Sequence, residues 1–184
     1  MPPAAGVTTT QAPWQKTFLA FAGPGIRRPS ESMRVTDIDA EGILEDLAAR
    51  DWQTPVYVGT GRHAGYTLCH AAGAWCTALF HGRALVGFYA DSYLWIAASH
   101  RGRSLSTPLI LAAADQRGGT ILPPGIALQG YTAASVAVHL AAHRHAVRTA
   151  LAKGLPVPAE VLEEIRVGGK GSRGPALPVF NPAG

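Results

Sequence analysis

Short apolar runs separated by turns dominate the middle of the chain, and the clearest of them precedes a helical repeat. Residues 93–97 are aromatic and aliphatic and too few for a helix, which predicts a buried strand. After a basic turn, apolar residues recur at the spacing of one helix face: Leu105, Leu109, Ile110 and Ala113. Ser106 is the expected N-cap, Pro108 fits the first helical turn, and the glycines at 118–119 fit the helix end.

Two earlier apolar runs indicate the strands that precede this unit. Residues 75–80 and 84–91 flank a turn centred on Gly82, which predicts a tight β-hairpin. Only Ser92 separates the second run from residues 93–97. We therefore expect three consecutive strands, largely antiparallel, to lead into the basic turn.

Further signals extend this core in both directions. Residues 33–38 predict a first strand and residues 40–50 a helix, an order found in many α/β domains. Residues 126–128 predict a short parallel strand, and Thr132 is expected to cap a long helix that ends at Gly154. That helix has one largely apolar face: Val136, Leu140, His143, Val147 and Leu151.

Composition divides the chain into a central domain and two tails. Residues 1–32 are rich in Ala, Pro, Gly and Thr without sustained periodicity, so a flexible N-terminal arm is expected. Residues 33–166, ending in a short helix over 158–166, are expected to form one domain, since 47% of the chain is hydrophobic and 15% charged. Residues 167–184 are rich in Gly and Pro and are expected to be disordered.

The charge balance indicates an anionic ligand or partner. The formal net charge is +4 and the pI is about 9.4. No apolar run has the length of a bilayer span, and the N-terminus lacks the pattern of a secretory signal, so we expect a cytoplasmic protein without a membrane partner. The two cysteines, Cys69 and Cys76, are expected to be reduced thiols.

Three other patterns carry weaker signals. Residues 59–65 are glycine-rich, but their spacing differs from the dinucleotide-binding fingerprint, so a loop is expected. The cysteines and histidines at 69–81 lack the spacing of a closed zinc site. His139 and His143 would share a helix face, but Leu140 replaces the glutamate of the metalloprotease pattern. No metal is predicted.

The basic turn after residues 93–97 is the strongest candidate for ligand binding. A tight turn that feeds a helix N-terminus collects free backbone N–H groups and the positive end of the helix dipole, which suits a phosphate. Arg101 and Arg103 add positive charge. The sequence therefore predicts a phosphate or diphosphate site at residues 101–106.

Residues 101–106, Arg-Gly-Arg-Ser-Leu-Ser, resemble the R/Q-x-x-G-x-G/A motif of the GNAT superfamily of acyl-CoA N-acyltransferases. Serine replaces both motif glycines, at Ser104 and Ser106. The resemblance covers roughly residues 33–154 and implies an α/β fold (α+β mixed sheet), with a central mixed β-sheet flanked by helices. The strand hairpin with which the family usually ends is not evident.

The resemblance also implies an N-acetyltransferase that uses acetyl-CoA as co-substrate and an unidentified small-molecule or macromolecular amine as acceptor. It implies a cofactor-binding set drawn from the strand and the loop: Leu94, Ile96, Ala97, Arg101, Gly102, Arg103, Ser104, Leu105 and Ser106. Asp91 and Tyr93, at the entrance of the strand, are the candidate general bases. In a helix motif of the family, a tyrosine acts as general acid toward the departing CoA thiolate. His139 occupies the position of that tyrosine, which makes His139 the candidate general acid.

Alternatives remain open at this level. The basic balance also fits a nucleic-acid-directed modifying or binding protein, although no binding motif with interleaved aromatic residues is present. The serines in the motif fit a non-catalytic interaction protein on a degenerate scaffold of the same family. The acceptor pocket would be completed by the N-terminal arm, by residues 54–73, or by the second subunit of a homodimer.

Overall fold

Five strands form one antiparallel sheet in which each strand pairs with the strand before it. The computed structural model describes residues 11–122 and 130–169. The strands are β1 (Tyr57–Val58), β2 (Tyr66–His70), β3 (Cys76–His81), β4 (Ala84–Ala90) and β5 (Tyr93–Ile96). Short turns containing Gly82 (φ 59°) and Asp91 (φ 49°) reverse the chain before and after β4. The three consecutive strands predicted from the apolar runs are therefore confirmed.

The described α-helices are α1 (Phe18–Ala22), α2 (Asp37–Ala48), α3 (Ser106–Gln116), α4 (Ala133–Ala152) and α5 (Ala159–Gly169). Thr132 caps α4 as predicted, because its Oγ1 accepts a hydrogen bond from the Ser135 N–H at 3.0 Å. The start of α3 differs from the prediction. Leu105 occupies the N-cap position, where its side chain offers no acceptor, and Ser106 is the first helical residue.

Helix α3 packs on one face of the sheet and against α4, while α2 covers the other face. The apolar face predicted for α3 is confirmed, since all four of its residues are buried. The buried face of α4 is rotated from the predicted one. It includes His139, His143 and Ala146, whereas Leu151 is 46% exposed.

The strand predicted at residues 33–38 does not form. Glu31–Met33 is a 3-10 turn, and α2 begins at Asp37. A capping box explains the early helix start: the Asp39 N–H donates to Thr36 Oγ1 at 3.1 Å, and the Thr36 N–H donates to Asp39 Oδ2 at 3.0 Å. Local polar caps therefore outweigh the β-branched residues of this segment.

Residues 11–32, the described part of the predicted arm, pack onto the domain instead of extending from it. Phe21 is fully buried in the main core cluster. His143 Nε2–H donates to the Lys16 carbonyl at 2.8 Å, and the Tyr131 hydroxyl donates to the Ala22 carbonyl at 2.6 Å. Burial of aromatic side chains offsets the loop-like composition of this segment.

Some predictions fall on residues 123–129 and 170–184, outside the described part of the chain. The parallel strand expected at 126–128 and most of the expected C-terminal tail belong there. The described sheet is antiparallel throughout, whereas a mixed sheet was expected. Within the described ranges, each helix is too short or too polar to span a bilayer.

Candidate functional site

A cleft of about 350 Å³ lies beside β5, next to the starts of α3 and α4. Two residues of β5 line it, as do two residues of the loop and helix that follow: Leu94, Ile96, Arg101 and Ser106. Ser135 and Val138 of α4 complete the opposite wall. The structure thus brings four of the nine predicted cofactor-binding residues into one cleft.

The outer edge of β5 carries backbone groups that β4 does not use. In an antiparallel pair, alternate residues of a strand bond to the neighbour. The Ala97 N–H donates to the Val86 carbonyl at 2.9 Å, which assigns Ala97 to the bonded set and directs the N–H and C=O groups of Leu94 and Ile96 away from β4. No described strand pairs with that side of β5. The Ile96 carbonyl accepts a hydrogen bond from Arg101 Nε–H, so the Ile96 N–H and the N–H and C=O groups of Leu94 are the ones that can pair with a ligand that contains amide groups.

The loop between β5 and α3 presents several backbone donors. The N–H groups of residues 102–105 have no hydrogen-bond acceptor within the described ranges. Gly102 and Ser104 adopt positive φ angles of 76° and 59°, which turn the chain sharply into α3. Of the two serines at the motif glycine positions, only Ser104 therefore has a backbone conformation that favours glycine.

Arg101 is engaged within the protein. Its NH2 group lies 2.8 Å from Asp37 Oδ1, and its Nε–H donates to the Ile96 carbonyl at 2.7 Å. Hydrogen bonds from Trp95 and then from Arg101 hold the pKa of Asp37 below its ordinary value. Arg101 therefore fastens the loop to the start of α2, a role that sequence reasoning did not assign to it.

The remaining predicted cofactor residues occupy different surroundings. Leu105 is 1% exposed and belongs to the core beneath the loop. Arg103 is exposed, and its carbonyl accepts a hydrogen bond from His63 Nε2–H at 2.8 Å. Ser104 lines a second cavity, together with Thr107 of α3 and residues of the β1–β2 loop. The loop thus separates two cavities.

The candidate bases Asp91 and Tyr93 do not line the cleft. Both line a separate cavity of about 430 Å³ beside α2, together with Asp46 and Arg50. Asp91 is the positive-φ residue of the turn between β4 and β5, which accounts for its presence in the sequence. These two residues therefore lie outside the lining of the cleft that contains Leu94 and Ile96.

The candidate acid His139 is part of the core, with 1% of its surface exposed. Its Nδ1 lies 2.7 Å from the Ser135 carbonyl, which only accepts, so Nδ1 carries the proton and Nε2 accepts from the Tyr89 hydroxyl at 2.9 Å. Burial lowers the pKa of His139 to about 4, with the Ser135 hydrogen bond acting in the opposite direction. The imidazole is therefore neutral at physiological pH.

His143, one turn later, is also a packing residue. Its ring centroid lies 5.2 Å from that of Phe21, and burial lowers its pKa. Among the described residues, no group of three or more His, Cys, Asp or Glu side chains is arranged to hold a metal ion. Cys69 and Cys76 are both buried and unbonded to each other, and burial raises the pKa of the Cys76 thiol to about 11.

Sequence reasoning missed two residues that shape the loop. Asp37 lies 64 positions before Arg101, and no local pattern indicates the pair. His63 belongs to residues 59–65, which the sequence predicts to be a loop without assigning a role to this histidine. Its histidine beside an arginine was the available signal for a second basic loop.

Comparison with known proteins does not assign this chain to a family. No family model matches the sequence, and neither a curated protein nor a solved structure matches it. The function of the chain is therefore inferred from its own residues and geometry.

Proposed function

We propose that this chain binds an acyl-CoA in the cleft beside β5 and transfers the acyl group to an amine. One observation carries the proposal. Leu94 and Ile96, whose outward N–H groups β4 does not use, line the cleft together with Arg101 and Ser106. Arg101 and Ser106 flank the loop residues 102–105, whose N–H groups are free within the described ranges. A strand edge suits the amide groups of a pantetheine arm, and a loop of free N–H groups suits its diphosphate.

The residues of the cleft support direct transfer of the acyl group. The amine nitrogen would attack the thioester carbon, a C–N bond would form, and the C–S bond would break with the electron pair leaving on sulfur. An outward N–H at Leu94 or Ile96 is the available donor for the carbonyl oxygen as it gains negative charge. Such a donor is already held in position by the sheet.

Proton transfer in this cleft relies on hydroxyls or water. The described lining contains Ser106 and Ser135 but no carboxylate and no histidine. An alkyl thiol such as that of cysteine ionises near pH 8.5, so a thiolate is an acceptable leaving group without a strong acid. The acceptor amine must then arrive neutral or lose its proton through water.

Two alanines of α4 provide a matched test of the cleft. Ala134 and Ala137 are both exposed, but only Ala134 lines the cleft. Ala134→Trp is expected to fill it and weaken acetyl-CoA binding at least tenfold by calorimetric titration, whereas Ala137→Trp leaves the affinity unchanged. Equal affinities in both variants, or no binding of acetyl-CoA by the wild type, would remove the proposal.

Turnover distinguishes an enzyme from a non-catalytic scaffold. Wild-type protein is incubated with acetyl-CoA and a panel of amines, and thiol release is measured together with the mass of each amine. Release that depends on one amine and is lost in Ala134→Trp supports acyl transfer. Tight binding of acetyl-CoA without amine-dependent thiol release across the panel favours a non-catalytic interaction protein. Such a protein needs neither the motif glycines nor an accessible His139.

A further inference from the structure

Three connections lie at the end of the sheet where β5 leads into its loop. In an antiparallel meander, the β1–β2 loop, the β3–β4 turn and the β5–α3 loop all emerge at the same end of the strands. These connections, residues 59–65, 82–83 and 97–105, contain four arginines and no acidic residue. The arginines are Arg62, Arg83, Arg101 and Arg103.

His63 fastens two of these connections to each other. Its Nε2 lies 2.8 Å from the Arg103 carbonyl and therefore donates, while its Nδ1 accepts from the Tyr57 hydroxyl at 2.9 Å. The β1–β2 loop is thus held against the β5–α3 loop. The neighbouring Arg62 is carried to the same surface.

A cavity of about 620 Å³ lies at this junction, between the β1–β2 loop, α3 and α4. Its polar lining includes Arg62, Ser104, Thr107, His145 and Arg148. Neither arginine forms an ion pair or side-chain hydrogen bond within the described ranges, and Asp115 is the one acidic residue of the described lining. The volume falls within the roughly 300–1,000 Å³ of small-molecule sites.

We infer that this second cavity receives the phosphorylated nucleotide end of the acyl-CoA, with Arg62 and Arg148 as partners of its 3′-phosphate. This inference rests on the proposed function. Ser104 lines the second cavity and Ser106 the first cleft, and two residues span at most about 7 Å. A diphosphate on the loop N–H groups between them joins a pantetheine arm on one side to a nucleotide on the other. Arginine suits this task because its planar fork matches a phosphate.

The inference makes the protein selective among pantetheine thioesters. An acyl group on a carrier protein ends in a phosphopantetheine without a nucleotide, and it offers nothing to the second cavity. Dephospho-CoA fills the cavity but lacks the 3′-phosphate. Free acyl-CoA is therefore the expected donor.

Calorimetric titration of the whole chain with acetyl-CoA, acetyl-dephospho-CoA and acetyl-4′-phosphopantetheine tests this selectivity. The variants are Arg62→Gln and Arg148→Gln, both at exposed positions. Arg28→Gln, at an exposed position outside the cavity lining, controls for the change in net charge. Melting temperatures establish that each variant is folded.

We expect the wild type to bind acetyl-CoA about tenfold or more tightly than acetyl-dephospho-CoA, and each cavity variant to lose most of that preference. Arg28→Gln retains it. If all three ligands bind wild type equally, the inference is wrong while the proposed function stands. If none binds, both are wrong. The inference would be overturned if a duplex oligonucleotide bound the wild type as tightly as acetyl-CoA and lost its affinity in the same variants. The two arginines would then be nucleic-acid contacts.

Discussion

Arg101 and Asp37 form an ion pair that joins the loop after β5 to the first residue of α2, with 2.8 Å between NH2 and Oδ1. The same carboxylate oxygen accepts a hydrogen bond from Trp95 Nε1 at 2.9 Å. The positive charge that the motif places before α3 is therefore shared between a structural contact and any anion in the cleft. Arg103 of the same loop is exposed and forms no ion pair within the described ranges.

The ion pair predicts a small, pH-dependent contribution to stability. The two side chains are 51% and 63% exposed, so water screens the pair and Asp37→Asn should lower the melting temperature only modestly at pH 7. The folded-state pKa of Asp37 lies below its ordinary value of 3.8, so the contribution is present above that pH and is lost as the pH falls through the lowered pKa.

Glu41→Gln provides the control for this prediction. Glu41 is exposed on the same helix and has no ion-pair partner among the described residues. Thermal melts from pH 7 to pH 3 should show Asp37→Asn below Glu41→Gln at neutral pH, with the difference narrowing in acid. A constant difference across this range contradicts the ionic origin of the effect.

Ser104 predicts a stabilising substitution inside the binding loop. Its φ of 59° is costly for a residue with a Cβ, so Ser104→Gly should raise the free energy of unfolding by roughly 0.5–1 kcal/mol. Ser106, by contrast, begins α3, and Ser106→Gly should lower it by up to about 1 kcal/mol. Urea unfolding measures both. Effects of the same sign would show that backbone conformation does not decide the outcome.

The same variant tests crowding at the diphosphate. If the Ser104 Cβ limits the approach of a phosphate to the loop, Ser104→Gly tightens acetyl-CoA binding. Weaker binding would instead mean that the hydroxyl donates a hydrogen bond to the ligand.

Elements with local signals were predictable from this sequence. The β3–β5 meander follows from apolar runs joined by turns too short for anything but hairpins, and α4 follows from a long periodic segment with a threonine cap. The strand expected at residues 33–38 failed because the Thr36–Asp39 capping box, a stronger local signal, converts that segment into a helix start.

Tertiary contacts decided what the sequence could not. The sequence predicts a flexible arm at residues 11–32 because their apolar residues lack helical or strand periodicity. In the structure, Phe18 and Phe21 are buried in the core beside His143. His139 occupies the position of the general acid in the helix motif, and only its burial shows that it faces the core. Burial depends on partners far along the chain, which periodicity in one segment does not reveal.

Phe21 tests the packing of the N-terminal segment. Because its side chain is fully buried, Phe21→Ala should lower the free energy of unfolding by about 3–5 kcal/mol in urea denaturation. Leu19, a half-buried residue of the same short helix, is the matched control, and Leu19→Ala should cost clearly less. If both variants lose a similar, small amount of unfolding free energy, residues 11–32 do not pack on the domain and the predicted flexible arm is correct.

The burial of His139 predicts a pH dependence of stability. Its folded-state pKa of about 4 lies below the ordinary value of 6.5, so between these values the unfolded chain binds more protons. Stability is therefore lost as the pH falls from about 6.5 towards about 4. At 1.36 kcal/mol per pKa unit, this contribution amounts to roughly 3 kcal/mol.

His139→Phe removes the titrating group and separates the two roles. The variant should lose about 1–3 kcal/mol at pH 7.5, because the hydrogen bonds to Ser135 and Tyr89 disappear from the core, and its stability should change less between pH 6.5 and pH 4. Tyr89→Phe breaks one of these bonds but keeps the imidazole, so it should retain the steeper pH slope. Acetyl-CoA affinity should be unchanged in His139→Phe, since this residue does not line the cleft. A variant with wild-type stability at every pH but slower amine-dependent thiol release would restore His139 as the general acid.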